Sequence, residues 1–290
     1  MIEDGGDRVT TGDAATRLDD TEAEHVPGDR SGRRNRHNTA AKVVFLLEAL
    51  ATREEGIGVR ELARELGIDK SAISRLSEQL VELGAAQQDE FSGRFRVGPR
   101  LFGLAATIHG RDTLWRAAEP IVRSLATTFN ETCYLAVRDG DEIIFRNKVD
   151  CTHKVRYVID PGERAPLHAG AGGRAVLIGL DDREVREIID RTGLEAVTSR
   201  TITDADRLLA LVAADRERHY AASRGERVPS GGAIAAPYFD ASGRCLGSVV
   251  FTCPDQRYDP AREPEIAATV MRAGSDLSRR LGYHAPAEAQ

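Results

Sequence analysis

Apolar residues first recur at helical spacing over 38–51, where Val43, Val44, Leu46, Leu47 and Leu50 follow an Asn38-Thr39 pair able to cap a helix. Two shorter periodic runs come next. Leu62, Ala63 and Leu66 stripe the first, Gly67 supplies a left-handed residue to end it, and Ile73, Leu76, Leu80 and Leu83 stripe the second. At about 3.6 residues per turn, Ser71, Ser74, Arg75 and Glu78 fall opposite that second stripe, with Lys70 at its N-terminal flank. Two short helices around a glycine turn, the second showing short hydrogen-bonding and basic side chains, form a unit suited to a DNA major groove. Glu78 is the exception. A carboxylate facing DNA is repelled unless it accepts from a cytosine amine, so Glu78 is expected to lie clear of the bases or to pair with an arginine.

After Gly84 the period changes to two. Residues 85–97 read as two extended runs around Ser92-Gly93, with Phe95 and Val97 on one face and Arg94 and Arg96 on the other. Such a hairpin would set its basic face against the DNA backbone or minor groove. Gly98-Pro99 breaks the pattern, and Pro99 suits the first turn of a short linker helix reaching about Ile108. A helix from about 111 to 129, interrupted at Pro120, leads into alternating runs at 132–137 and 142–149 around Asp139-Gly140, and at 232–238 and 245–252 around 240–243. Helical stretches lie between them near 172–178, 181–191 and 204–219, the last opened by Thr203-x-x-Asp206, and a final helix covers about 263–281. The organisation is therefore α+β. A tail (1–37) precedes a winged helix-turn-helix domain (38–98), a linker helix (99–109) and a C-terminal domain (110–290) of antiparallel sheet with flanking helices.

Charge sharpens this division. The 290 residues carry a formal net charge of −6, yet residues 1–29 hold 2 basic and 9 acidic groups whereas residues 30–100 hold 13 and 10. Only the middle block is basic, so affinity for double-stranded DNA must come from charge placement and from more than one copy of the domain. The polar tail has no apolar period and is expected to be disordered. At its end, Arg30, Arg33, Arg34, Arg36 and His37 form either an arm that tracks phosphates or enters a minor groove, or a solvated charge run. No apolar run approaches the roughly 18 residues of a membrane-spanning helix, and no signal-peptide pattern opens the chain; a cytoplasmic protein without membrane contact is expected.

Catalytic signals are sparse. Residues 170–173 lack both the Gly-Lys-Ser/Thr ending and the Gly-x-Gly-x-x-Gly spacing of nucleotide loops. Of the four cysteines none stands in a Cys-x-x-Cys pair, and Cys151-Thr-His153 with Cys133 or His168 is a weak zinc pattern whose plainer reading is ordinary strand and loop residues. With no Gly-x-Ser-x-Gly and no cysteine beside an obvious base, neither catalysis, a metal nor a cofactor is expected. Two alternatives stay open: a small-molecule enzyme with an accessory helical domain, and a redox- or metal-sensing regulator built on the cysteines.

Taken in order, the segments 70–76 (Lys-Ser-Ala-Ile-Ser-Arg-Leu), 94–101 (Arg-Phe-Arg-Val-Gly-Pro-Arg-Leu), 161–175 (Pro-Gly-Glu-Arg-Ala-Pro-Leu-His-Ala-Gly-Ala-Gly-Gly-Arg-Ala), 201–203 (Thr-Ile-Thr) and 234–237 (Ile-Ala-Ala-Pro) resemble the IclR-type bacterial transcriptional regulators over roughly residues 40–282. The resemblance implies a winged helix-turn-helix joined to a GAF-like effector-binding domain, working as a homodimer or homotetramer on palindromic operators. It implies a repressor of a catabolic operon whose DNA affinity a small organic acid or derivative changes. DNA contacts then fall to Lys70, Ser71, Ser74, Arg75, Arg94 and Arg96, with Arg34 and Arg36 in the arm. Effector contacts fall to Gly170, Ala171, Ser223, Ala233, Val250 and Thr252, with the backbone N–H groups of Gly170 and Ala171 facing the ligand. His168 stands at the rim, either packing with a backbone hydrogen bond or touching ligand. Val250 and Ala233 are apolar where the family often has polar residues, which points to a larger, partly apolar or aromatic acid.

Overall fold

The computed structural model describes residues 38–284, so the basic arm with Arg34 and Arg36 lies outside the described residues. Helix α1 (Thr39–Ala51) opens where the Asn38 side chain accepts from Ala40 N at 2.9 Å. Helix α2 (Val59–Leu66) stops at Gly67, whose φ of +61° closes the turn, and α3 (Lys70–Glu82) follows after Asp69. Leu46, Leu50, Leu62, Ile73, Leu76 and Leu80 interlock as one core, each worth about 1.5–3 kcal/mol on burial. The stripe of α3 ends one residue set earlier than its spacing predicts. Ser77 is fully buried, whereas Leu83 is the exposed C-cap, because the chain leaves the helix there.

Strands β1 (Ala86–Gln88) and β2 (Phe95–Val97) pair antiparallel as the expected hairpin. Its root is stitched to the α1–α2 connection by reciprocal Ile57–Phe95 backbone bonds of 2.9 Å, and Phe95 fills the core. Helix α4 (Pro99–Gly110) starts at the proline.

Helix α5 (Thr113–Phe129) is capped by Asp112 and carries Pro120 inside it. There follow β3 (Cys133–Asp139), β4 (Glu142–Val149), β5 (Arg164–Pro166), α6 (Ala171–Ile178), α7 (Asp182–Thr192), α8 (Ala205–Arg218), β6 (Ala221–Arg224), β7 (Gly231–Phe239), β8 (Cys245–Pro254) and α9 (Glu263–Arg280). The cap of α8 is Asp204, which accepts from Arg207 N at 2.7 Å, so the Thr203-x-x-Asp206 pattern does not operate; Asp204 is one residue nearer the helix and its shorter reach satisfies the first-turn N–H. The six strands form one antiparallel sheet in the order β5-β4-β3-β8-β7-β6. The expected α+β organisation holds.

Period-two alternation separates two cores across this sheet. Cys133, Leu135, Ile234, Val249 and Phe251 meet α5 and α9 on one face, and Gly274 lets α9 approach β7 so closely that a Cβ there would lie 2.6 Å from Pro237 O. Tyr134, Ala136, Ile143, Phe145, Ala235 and Val250 meet α6, α7 and α8 on the other.

Candidate functional site

The outward face of α3 begins at its cap. The Asp69 carboxylate accepts from the Ser71 hydroxyl, from Ser71 N at 3.0 Å and from Ala72 N at 3.3 Å, and these bonds hold its pKa below the ordinary value. Lys70, Ser71 and Arg75 are exposed and Ser74 is half-buried. Neither Lys70 nor Arg75 has an ion-pair partner among the described residues, where the two salt bridges of this region involve other arginines. Glu78 pairs with no arginine among the described residues; it accepts from Ser74 Oγ at 3.0 Å. Both serine hydroxyl protons are thus taken by neighbouring carboxylates, Asp69 and Glu78, and each hydroxyl oxygen keeps acceptor capacity.

The hairpin contributes less positive charge than its alternation predicts. Arg96 is exposed, but Arg94 turns back to donate from Nε to Gly56 O (3.0 Å) and from Nη2 to Glu61 (3.1 Å). It is corrected from a wing contact to a strut between hairpin and α2, because the carboxylate on α2 is within reach of its long stem. At the tip, Asp89 folds into the turn by accepting from Ser92 N and Oγ, both at 2.8 Å, while Phe91 is fully exposed.

A second site lies between the sheet and α6. Gly170, at φ +88°, sends the chain into α6 without a side-chain cap, and a cavity of about 500 Å³, counting its open mouth, forms beside it. Gly170, Ala171, Ser223, Ala233, Val250 and Thr252 all line it, so six of the seven expected residues converge. His168 does not join them. Its Nε2 donates to Glu195 O at 2.9 Å, burial lowers its pKa, and it lines a separate space of about 230 Å³ with Leu167, Leu177 and Leu208, since the chain reverses direction between 168 and 170. The N–H geometry also shifts. Ala171 N is taken by Ser223 Oγ at 2.9 Å, whereas no acceptor among the described residues serves the first-turn N–H groups of Gly172 and Gly173. A helix start with open N–H groups favours an anion.

The remaining wall is apolar and then charged. Ile143, Phe145, Tyr157, Ile159 and Val228 supply the apolar part, and Glu226 and Arg227 the charged part. Behind Glu226, the fully buried Arg174 spends every nitrogen: Nε on Asp215 at 2.9 Å, Nη1 on Glu226 and Nη2 on Ala222 O. Arg218 adds a second bond to Asp215 at 2.5 Å. Burial raises the Glu226 pKa, against the opposing pull of Arg174 and of the Gly170 backbone N–H.

The two halves of the chain match two family models, "IclR helix-turn-helix domain" over residues 39–90 and "Bacterial transcriptional regulator IclR C-terminal" over residues 106–279. The chain belongs to the IclR family. This IclR protein is 30% identical to the HTH-type transcriptional regulator KdgR of Escherichia coli over 247 residues, covering 85% of the chain and 94% of the relative. Among solved structures, an IclR regulator from Silicibacter sp. TM1040 superposes with a TM-score of 0.71 at 26% identity, over 87% of this chain and 99% of that one. An IclR homologue from Microbacterium hydrocarbonoxydans complexed with 4-hydroxybenzoate has the same fold, with a TM-score of 0.71 at 22% identity over 84% and 99% of the two chains. The chain is a DNA-binding transcriptional regulator of the IclR type.

Within this regulator the cysteines are sited for packing. All four are buried and reduced, and desolvation pushes the Cys245 thiol to about 11, the Cys253 thiol to about 12 and Cys133 well above its ordinary range. A protonated thiol is a poor nucleophile and metal ligand. Among the described residues no three His, Cys, Asp or Glu side chains converge to hold a metal, and no helix is long and apolar enough to cross a membrane. Sequence reasoning missed Arg227, Glu226 and the 157–159 segment. They stand on irregular chain, where no period marks which side chains face inward; the one available signal was Glu226-Arg227 adjoining the predicted Ser223.

Proposed function

We propose that this regulator binds palindromic operator DNA as a homo-oligomer and that a partly apolar or aromatic organic acid in the α6 cavity changes that binding. Lys70, Ser71, Ser74, Arg75 and Arg96 serve as its DNA contacts, and Gly170, Ala171, Ser223, Ala233, Val250 and Thr252 as its effector contacts. The single observation that carries the effector reading is the pairing, in one cavity, of an apolar wall with a glycine helix start and an arginine. An acid with a hydrocarbon or aromatic body satisfies both ends. The 4-hydroxybenzoate held by the Microbacterium homologue is a ligand of that class.

Helix α4 supports the oligomer. From Leu101 to Ile108 it has no charged residue, and Phe102, Leu104 and Ile108 are each more than half exposed. Phe102 lies about 200° round the helix from Leu104, so apolar side chains stand open on both sides of α4 beside the DNA-reading unit; their burial against a second copy would also set the half-site spacing. We read the chain as a tail (1–37), a DNA-binding domain (38–98), a linker helix (99–109) and an effector domain (110–290), and as a repressor of an operon that degrades its effector.

The test is a gel-shift titration of the purified protein on the DNA upstream of its own gene, at fixed salt, with unrelated competitor and with aromatic acids added in turn. Competitor-resistant binding that one acid weakens would support the reading. Binding that is weak, salt-labile and indifferent to every acid would refute it.

A further inference from the structure

Two arginines stand at the cavity and they are used in opposite ways. Arg174, behind the wall, has all its nitrogens paired. Arg227, on the wall itself, pairs only Nη2, and that with Glu163. Its side chain is 15% exposed and its guanidinium carbon lies over the Phe145 ring, 4.6 Å from the centroid, a cation–π contact that holds the group at the cavity wall. The stem runs against the loop: a Cβ on Gly170 would sit 3.3 Å from Arg227 Cβ. Among the described residues Nε and Nη1 therefore have no protein acceptor, next to the helix start whose Gly172 and Gly173 N–H groups are also open.

Glu163 reaches this arginine from the solvent side. Its side chain is 47% exposed, and it ends the segment 150–163, which has no regular structure and contributes Tyr157 and Ile159 to the cavity. The segment is anchored at both ends, by Cys151 N and Thr152 N donating to Thr132 Oγ1 (3.3 Å) and Asn130 Oδ1 (3.0 Å) and by Phe145 N donating to Glu163 O (2.9 Å), and along its length Ile159 N donates to Tyr134 Oη (3.1 Å), Tyr134 Oη to Tyr157 O (3.3 Å) and Arg257 to Val155 O (3.1 Å). An exposed carboxylate gains little from a pairing it shares with water, whereas a ligand carboxylate entering with an apolar body gains the same arginine away from solvent.

We propose that Arg227 is the carboxylate anchor of the effector cavity and that Glu163 is a built-in competitor which the ligand acid displaces. The proposal rests on the reading that the effector is an organic acid, and it names the residue that recognises the acid group. Displacement has a regulatory sense. Removing Glu163 from Arg227 cuts one of the ties of the 150–163 segment, so occupancy is reported to the surface by the same contact that provides affinity. Glu226 lines the cavity as well, but its Oε2 is engaged by Arg174 and does not compete for Arg227.

Calorimetric titration tests this with benzoate and 4-hydroxybenzoate against their uncharged amides, benzamide and 4-hydroxybenzamide. The wild-type protein should prefer the acids, and Arg227→Gln should remove that preference by about 10- to 100-fold, the usual range for a charge-assisted contact. Glu163→Gln, on an exposed side chain, should tighten acid binding several-fold and leave amide binding alone. Acids that bind Arg227→Gln as well as wild type, or that bind Glu163→Gln no better, would overturn the anchor and leave the acid-effector reading standing. Amides that match the acids on wild type, or no binding of any of the four, would overturn that reading and the anchor with it.

Discussion

Arg75→Ala is the sharpest test of the reading face, because Arg75 is exposed on α3 and has no carboxylate partner among the described residues. Its whole charge is available to DNA. Each phosphate contact contributes about 0.9 to the slope of log affinity against log salt, so losing one contact per copy in a dimer lowers the slope by about 1.8. Between 50 and 200 mM salt, a fourfold range, the variant's deficit should therefore shrink by about tenfold. If Arg75 reaches a guanine edge instead, the loss is about 1–3 kcal/mol per copy and changes little with salt. Fluorescence anisotropy on a labelled duplex from upstream of the gene, repeated across that salt range, separates the two cases. Arg94→Ala is the control: with its guanidinium on Glu61 and Gly56, it should leave the slope near wild type. An Arg75→Ala protein with wild-type affinity and wild-type slope, still folded by circular dichroism, would remove α3's outward face from the DNA interface.

Other substitutions probe the second site and the assembly. Gly172→Ala places a methyl 3.1 Å from Ile143 Cδ1 and 3.2 Å from Val250 Cγ2, and that crowding offsets a helix gain of about 0.5–1 kcal/mol; urea unfolding should change by less than about 1 kcal/mol while the effector response is blunted, and an unaltered response would place the ligand elsewhere. Glu226 has a pKa raised from its ordinary 4.5, so proton uptake favours the folded state; its contribution is fully present below 4.5 and is lost as pH rises through the raised value. Stability measured from acid to neutral pH should accordingly fall for wild type relative to Glu226→Gln over that window, and a rise would contradict the burial argument. Phe102→Asp with Ile108→Asp should turn the oligomer into monomers in sedimentation velocity, while an unchanged sedimentation coefficient would show that α4 is not the contact.

The regular elements were legible because their periods are strong. The α3 stripe as far as Leu80, the Gly67 turn and the β3–β4 and β7–β8 hairpins fall where spacing put them, the strands within one or two residues at their ends. The short strands β5 and β6 were not, since three or four residues carry no readable alternation. The same physics divides the sites. Ser223, Ala233, Val250 and Thr252 alternate on strands whose inward face is fixed by the core, and they converge on the cavity as resemblance predicted. His168 took the packing and backbone-hydrogen-bond alternative, on Glu195 O, and Arg94 turned back to Glu61; only the folded chain brings these partners within reach.

The contrast between Arg174 and Arg227 bears on how such a pocket diverges. Arg174 and Asp215 are fully buried and balance each other, with Glu226 and Arg218 beside them, so replacing Arg174 or Asp215 alone leaves an uncompensated charge, at a cost of about 3–5 kcal/mol for a fully buried pair. Change there must come in concerted pairs. The opposite wall is freer: Ala233 and Val250 meet the cavity as single apolar side chains, and Arg227 pairs only with Glu163, whose half-exposed carboxylate water can serve when the arginine is replaced. Ligand choice can therefore drift, or be redesigned, by single steps on the sheet side while the rear of the pocket stays frozen.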